Sequence, residues 1–143
     1  ITRFGNVYGQ GDLNFNRIIP GIMSSLIKNK TLLLRSDGTF IRDYIYVDDV
    51  VDGYIKLAEK YQKTVGNAYN FGSEETLSVI GLISAIENIL QKKIKFKILN
   101  TATNEIPVQS LDYTKITKET GWKPCATLAV TIPLIYKYYQ NII

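Results

Sequence analysis

The sequence contains no histidine and a single cysteine, and these shortages remove whole classes of chemistry. Without imidazole, the chain cannot assemble a Ser-His-Asp triad, a Cys-His dyad or a histidine-ligated metal site from its own residues. Cys125 has no internal disulfide partner and no Cys-x-x-Cys companion, which points to a reducing, cytoplasmic compartment. Long apolar runs are also scarce. Leu32-Leu33-Leu34 falls far short of the roughly 20 residues a membrane span needs, so no transmembrane helix is expected. The opening Ile-Thr-Arg-Phe-Gly-Asn lacks an initiator Met and a basic stretch leading into an apolar one. It reads as the middle of a strand, not a signal peptide, and points to a piece of something longer.

What the sequence does contain is a globular composition. Its 143 residues are 45% hydrophobic and 21% charged, enough for one domain with a real core. Lys and Arg number 17 against 13 Asp and Glu, a net charge of +4. That balance permits an anionic partner, nucleic acid included, or else reflects solvated lysine faces. The one dense run, Lys92-Lys93-Ile94-Lys95-Phe96-Lys97, alternates as a strand with one wet face does and lacks the long basic tract of a nucleic-acid surface.

Periodicity and punctuation predict alternating strands and helices. A strand over residues 2–8 runs into the loop Gly9-Gln10-Gly11-Asp12. A helix over 18–29 carries Ile19, Ile22, Met23 and Leu26 on one stripe, with Pro20 in its first turn. Strands are expected at 32–35 and 40–47 around the turn Ser36-Asp37-Gly38-Thr39. A helix over 49–61, capped by Asp48 or Asp49, places Val50, Val51, Tyr54, Leu57 and Ala58 on one face. A strand at 68–71 precedes a helix over 78–91 capped by Thr76 or Ser78. After a strand at 94–99 and a polar loop at 100–105, Asp112 caps a helix over 113–120 that Gly121 ends. The last helix, 128–140, contains Pro133, which should bend it or delay its start. The class is α/β, with no internal repeat and no linker.

Several nucleotide motifs are missing. Gly9-Gln10-Gly11 has Asn14 where a G-x-G-x-x-G fingerprint needs its third glycine, and there is no G-x-x-x-x-G-K-[ST] phosphate loop. None of the ten tyrosines is followed four residues later by Lys, so a Tyr-x-x-x-Lys general-base pair is absent. What remains are arginines at informative places. Arg35 and Arg42 flank a turn, so they can lie together at one edge and grip a diphosphate with their planar forks. Equally, Arg42 could pair with Asp43 or Asp48. Asn6 could offer its amide to a phosphate or close an Asx-turn.

Arg3-Phe4-Gly5-Asn6-Val7-Tyr8-Gly9, Ile18-Ile19-Pro20, Arg42-Asp43-Tyr44-Ile45-Tyr46-Val47-Asp48-Asp49, Tyr69-Asn70-Phe71-Gly72 and Gly121-Trp122-Lys123-Pro124 follow one another along nearly the whole chain. In order and spacing they resemble the extended short-chain dehydrogenase/reductases, the NAD-dependent epimerases and dehydratases of sugar nucleotides. Residues 11–20 and 34–39 look most like the CDP-glucose 4,6-dehydratase branch.

The resemblance implies a two-part plan. An N-terminal Rossmann half would hold NAD, the glycine fingerprint and the Tyr-x-x-x-Lys pair. Residues 1–10 would be the late strand and loop of that domain. Residues 11–143 would form the substrate-binding region, with some segments packing back on the Rossmann domain. It also implies a lyase that turns CDP-glucose into a CDP-4-keto-6-deoxy sugar for deoxysugar and lipopolysaccharide synthesis, and a homo-oligomer in the full-length protein. Nucleic acid, membrane and metal play no part in it, and no catalytic residue of the reaction is carried by this chain. By the same resemblance Asn6 contacts the diphosphate, Arg42 binds the phosphates, and Arg17, Ile18 and Pro20 surround the nucleotide. Arg35 frames the base or diphosphate, and Tyr44, Asn70 and Gln109 are further substrate contacts. Ser110 departs from the aromatic usual beside Gln109, and Val130-Thr131-Ile132-Pro133 from a Glu-Gly-Leu pattern in the last helix. Two other readings stay open: an epimerase or dehydratase of a UDP, GDP or dTDP sugar, and a non-catalytic nucleotide-sugar binding module.

Overall fold

The structure, a computed structural model, describes residues 1–103 and 105–143; Asn104, within the expected polar loop, lies outside the described residues. In chain order the elements are β1 (Thr2–Phe4), β2 (Asn6–Tyr8), α1 (Ile18–Ile27), β3 (Leu32–Leu34), β4 (Ile41–Tyr46), α2 (Val47–Glu59) and α3 (Tyr61–Thr64). They continue with β5 (Tyr69–Phe71), β6 (Thr76–Ser78), α4 (Val79–Leu90), β7 (Phe96–Ile98), α5 (Thr114–Thr120) and α6 (Leu128–Gln140). The α/β class expected from the pattern is the one observed.

Strand pairing explains the first departure from expectation. The strand expected over 2–8 is divided at Gly5, because β1 pairs in parallel with β5 while β2 pairs in parallel with β4. The chain changes partner at Gly5, where a Cβ would stand 2.6 Å from the carbonyl oxygen of Asp43. Only glycine admits that approach. β6 was not foreseen; its three residues join β4 in antiparallel pairing and are too few to show a period. β3 and β7 form a separate parallel pair.

Helix ends follow local chemistry with one correction. Ser78, not Thr76, caps α4, its Oγ accepting from the Gly81 amide at 3.0 Å. Asp112 Oδ1 accepts from the Thr114 amide at 2.8 Å at the head of α5, and Gly121 ends that helix in the left-handed conformation. Neither Asp48 nor Asp49 caps α2. The helix starts two residues earlier than expected, at Val47, so both acids fall inside its first turn, where negative charge suits the helix dipole. Asp49 instead accepts from the Cys125 and Ala126 amides at 3.0 and 3.1 Å, and its carbonyl accepts from Trp122 Nε1 at 3.0 Å. The face expected on α2 is split: Val50 and Leu57 pack inward, whereas Val51, Tyr54 and Ala58 are exposed. Pro133 lies within α6 without delaying its start at Leu128.

Two cores result. The larger gathers α1, β3, α4 and α6 around Ile19, Ile22, Met23, Leu82, Ile86, Ile132 and Tyr139. The smaller packs β1, β5, α2 and α5 around Tyr69, Phe71, Ile116 and Trp122, with Phe71 and Trp122 edge to face at 4.9 Å. β4 is the wall between them. Tyr44 and Tyr46 enter the larger core and Ile45 the smaller, as the two-residue period of a strand requires.

Candidate functional site

β4 also forms one wall of a cavity. Its cavity-side residues Arg42 and Tyr44, with Asn6 beside them on β2, line a cavity of about 740 Å³. The opposite wall comes from the loop before α1 and its first turn, supplying Arg17, Ile18 and Pro20, and from β3 and the residue after it, supplying Arg35. Seven of the nine residues singled out from the sequence therefore meet around one space. Asn70 and Gln109 do not line it. Asn70 sits on β5 in register with Arg3, and Gln109 donates its backbone amide to the Ile41 carbonyl at 3.0 Å, at the start of β4. Leu33 and Leu99 add apolar surface to the same cavity.

Arg42 pairs with neither of the acids considered from sequence. Its Nη1 donates to the carbonyls of Ile41 and Ile106 at 2.8 and 2.7 Å, and Nη2 donates to Glu105 Oε2 at 3.2 Å. Two carbonyls and one carboxylate thus hold the guanidinium in place at the cavity wall. Asp43 points to the other side of the strand and is fully buried. It accepts from the Ser73 amide at 2.9 Å, the Ser73 hydroxyl at 2.8 Å and the Leu111 amide at 3.1 Å. Burial holds its carboxyl above the usual carboxylate range, with those donors acting against the rise.

Two residues after β7, Leu99 before the expected polar loop and Glu105 at its end, line the cavity. The Thr101 and Ala102 amides donate to the Arg35 carbonyl at 2.7 and 2.9 Å, and Pro107 accepts from the Ile41 amide at 2.9 Å. Glu105 and Asp12 are the acids lining the cavity, and each meets an arginine of the site: Glu105 with Arg42, and Asp12 with Arg17 at 3.2 Å. Neither was singled out from the sequence. Glu105 lies 63 residues from its partner, so no local pattern could connect them.

Chemically, the cavity offers three guanidinium groups, a carboxamide and apolar wall, the complement of a phosphate-bearing ligand with a flat or apolar part. It offers no dinucleotide cradle. After Gly9-Gln10-Gly11 the next helix begins only at Ile18, so no helix N-terminus stands behind the glycines to receive a pyrophosphate. Among the described residues there is also no cluster of acids, Cys and His able to hold a metal ion. Among the described residues no helix is long and apolar enough to cross a membrane.

A family profile described as the NAD dependent epimerase/dehydratase family matches residues 1–72. The UDP-glucose 4-epimerase of Bacillus subtilis is 33% identical over 88 residues, which cover 61% of this chain and 26% of that protein. The CDP-abequose synthase of Salmonella typhimurium is 31% identical over 127 residues, covering 85% of this chain and 42% of its own. The crystal structure of UDP-glucuronic acid 4-epimerase from Bacillus cereus, in complex with UDP-glucuronic acid and NAD, superposes on all of this chain and 45% of its own, with a TM-score of 0.91 at 24% identity. The chain thus spans less than half the length of these relatives. With a profile match over half its length, the chain belongs to the NAD dependent epimerase/dehydratase family.

Proposed function

We propose that this chain is the substrate-binding part of an NAD-dependent CDP-glucose 4,6-dehydratase, with CDP-glucose as substrate. The observation that carries the reading is the convergence of Asn6, Arg17, Arg35 and Arg42 on one cavity with apolar wall beside them. A nucleoside diphosphate has two charges for the arginines and a base for the apolar surface. Charge-assisted bonds to buried phosphate are the strong ones, and Arg42, already fixed in plane, gives up little freedom in making them. Binding requires Arg42 to share or exchange its bond with Glu105. The relative that makes a CDP-linked sugar supports the choice of nucleotide.

NAD, when bound, supplies the hydride chemistry of such a reaction; this chain's residues bind and orient the sugar nucleotide. In this reading residues 1–10 belong to the Rossmann part and 11–143 to the substrate side, Asn70 and Gln109 act from outside the cavity wall, and the full-length enzyme is a homo-oligomer in the cytoplasm, serving lipopolysaccharide synthesis. The isolated chain, without a Tyr-x-x-x-Lys pair, is inactive.

A second reading is an epimerase or dehydratase of a UDP, GDP or dTDP sugar, favoured by the 33% identity with a UDP-glucose 4-epimerase. A panel of nucleoside diphosphates titrated against the complete natural polypeptide separates the two: preference for CDP supports the first, and preference for UDP overturns it. The third possibility, a binding module without catalysis, is eliminated by an in-frame upstream segment carrying the fingerprint and the Tyr-x-x-x-Lys pair.

A further inference from the structure

The pair β3–β7 leaves β7 as an edge strand. The Leu32 amide donates to the Lys95 carbonyl and the Leu99 amide to the Leu34 carbonyl, both at 2.8 Å. With the parallel register Leu33 to Lys97, the ladder therefore draws on Lys95, Lys97 and Leu99. The backbone groups of Phe96 and Ile98 point away from β3, and among the described residues no strand lies there to meet them.

The side chains along this edge alternate in character. Phe96 and Ile98 stand opposite Leu32 and Leu34, on the face that those leucines turn to the larger core, yet they overhang it at 38% and 43% exposed. Lys95 and Lys97 occupy the other face and are exposed. The surroundings carry the same sign. Lys28 and Lys30 lie in the turn between α1 and β3, and Lys92 and Lys93 lie in the approach to β7. Glu87 is the single acid in residues 28–33 and 87–99. It is already engaged, accepting from Lys93 Nζ at 3.2 Å and from the Ile94 amide at 2.8 Å.

This combination selects an occupant. Two copies of β7 laid edge to edge with their apolar faces aligned would also bring their lysine faces together, because the side-chain period of a strand is two. Like charges directly opposite are destabilising, and lysines on an edge guard it against its own kind. A strand with acids on one face and apolar residues on the other meets the opposite situation. Its acids stand beside Lys95 and Lys97, its apolar side chains cover Phe96 and Ile98, and its backbone pairs with their outward groups.

We propose that the β7 edge is a docking site for an extended acidic segment of a partner protein, which adds to the β3–β7 sheet as a further strand. The main-chain bonds hold the segment, and the lysine face selects its charge. This does not rest on the nucleotide-sugar reading and survives its failure.

The test follows the fluorescence anisotropy of a labelled peptide alternating glutamate and valine as the complete natural polypeptide is added, together with amide hydrogen exchange at Phe96 and Ile98. The expected result is saturable binding, with slower exchange at both amides when the peptide is bound. Lys95→Glu combined with Lys97→Glu, two exposed positions, should lower the affinity by on the order of tenfold. Ile98→Pro, which removes an outward amide and no bond to β3, should weaken binding as well. Absence of binding to the wild type overturns the proposal, as does unchanged affinity in the double lysine variant. Equal binding of an all-glutamate peptide overturns it by showing a surface for polyanions in general, nucleic acid included. Slow exchange at Phe96 and Ile98 without peptide overturns it by showing that another part of the protein already holds the edge.

Discussion

The two faces of β4 differ although their residues alternate along one strand. Asp43 and Ile45 face the smaller core, where the carboxylate has three internal donors and the neighbours are closely packed rings. Arg42 and Tyr44 face the cavity, where the guanidinium meets a half-exposed carboxylate and the hydroxyl has no partner among the described residues. One face is internally complete and the other is not. Stability and binding should therefore separate between residues that are next to each other in sequence.

The largest effect that could break this comparison lies on the complete face. Trp122→Ala should destabilise the fold by roughly 3–5 kcal/mol in urea denaturation, since it empties the centre of the smaller core and removes the bond to the Asp49 carbonyl. Asp43→Ala comes next, at about 3 kcal/mol, because it strands two amides and a hydroxyl in a buried site. Across the strand, Arg42→Ala should weaken nucleoside diphosphate binding by roughly 1.5–3 kcal/mol in a titration, with a much smaller change in unfolding free energy.

A finer test is the pH dependence of Asp43. Its folded-state value is raised above the unfolded 3.8, so the folded chain holds the proton more tightly. The stability this contributes is present below 3.8 and is lost as pH rises through the folded value. Relative to Asp43→Asn, which cannot titrate, the wild type should lose unfolding free energy across that window. A constant difference between the two proteins would show that the carboxyl is not raised. At the small end, Lys97→Ala on the exposed β7 should change stability by less than about 0.5 kcal/mol, as a solvated lysine does.

Much of this arrangement was legible in the sequence because its signals are local. Hydrophobic period and caps located α1, α4 and α5, and the Arg42-to-Asp49 stretch marked both β4 and a wall of the cavity. The unread parts depend on distant partners. The break at Gly5 arises from two strands contributed by residues 41–46 and 69–71. Asp49 resembled a helix cap by position, yet the amides of residues 125 and 126 reach it across the fold. Glu105 acquired meaning only once the segment after β7 returned to Arg42, and the isolation of the Tyr44 hydroxyl is a property of its surroundings, invisible in the letters.

The most direct measurement is thermal unfolding of the complete natural polypeptide, as wild type, Arg42→Ala and Asp43→Ala, with and without saturating nucleoside diphosphate. It reads intrinsic stability and ligand linkage together. The account predicts that Arg42→Ala keeps most of the unliganded Tm and loses the ligand-induced rise, whereas Asp43→Ala starts from a lower Tm and keeps the rise. If the two variants lose the same quantity, or the wild type shows no ligand-induced rise, the division of β4 into a structural and a binding face is contradicted.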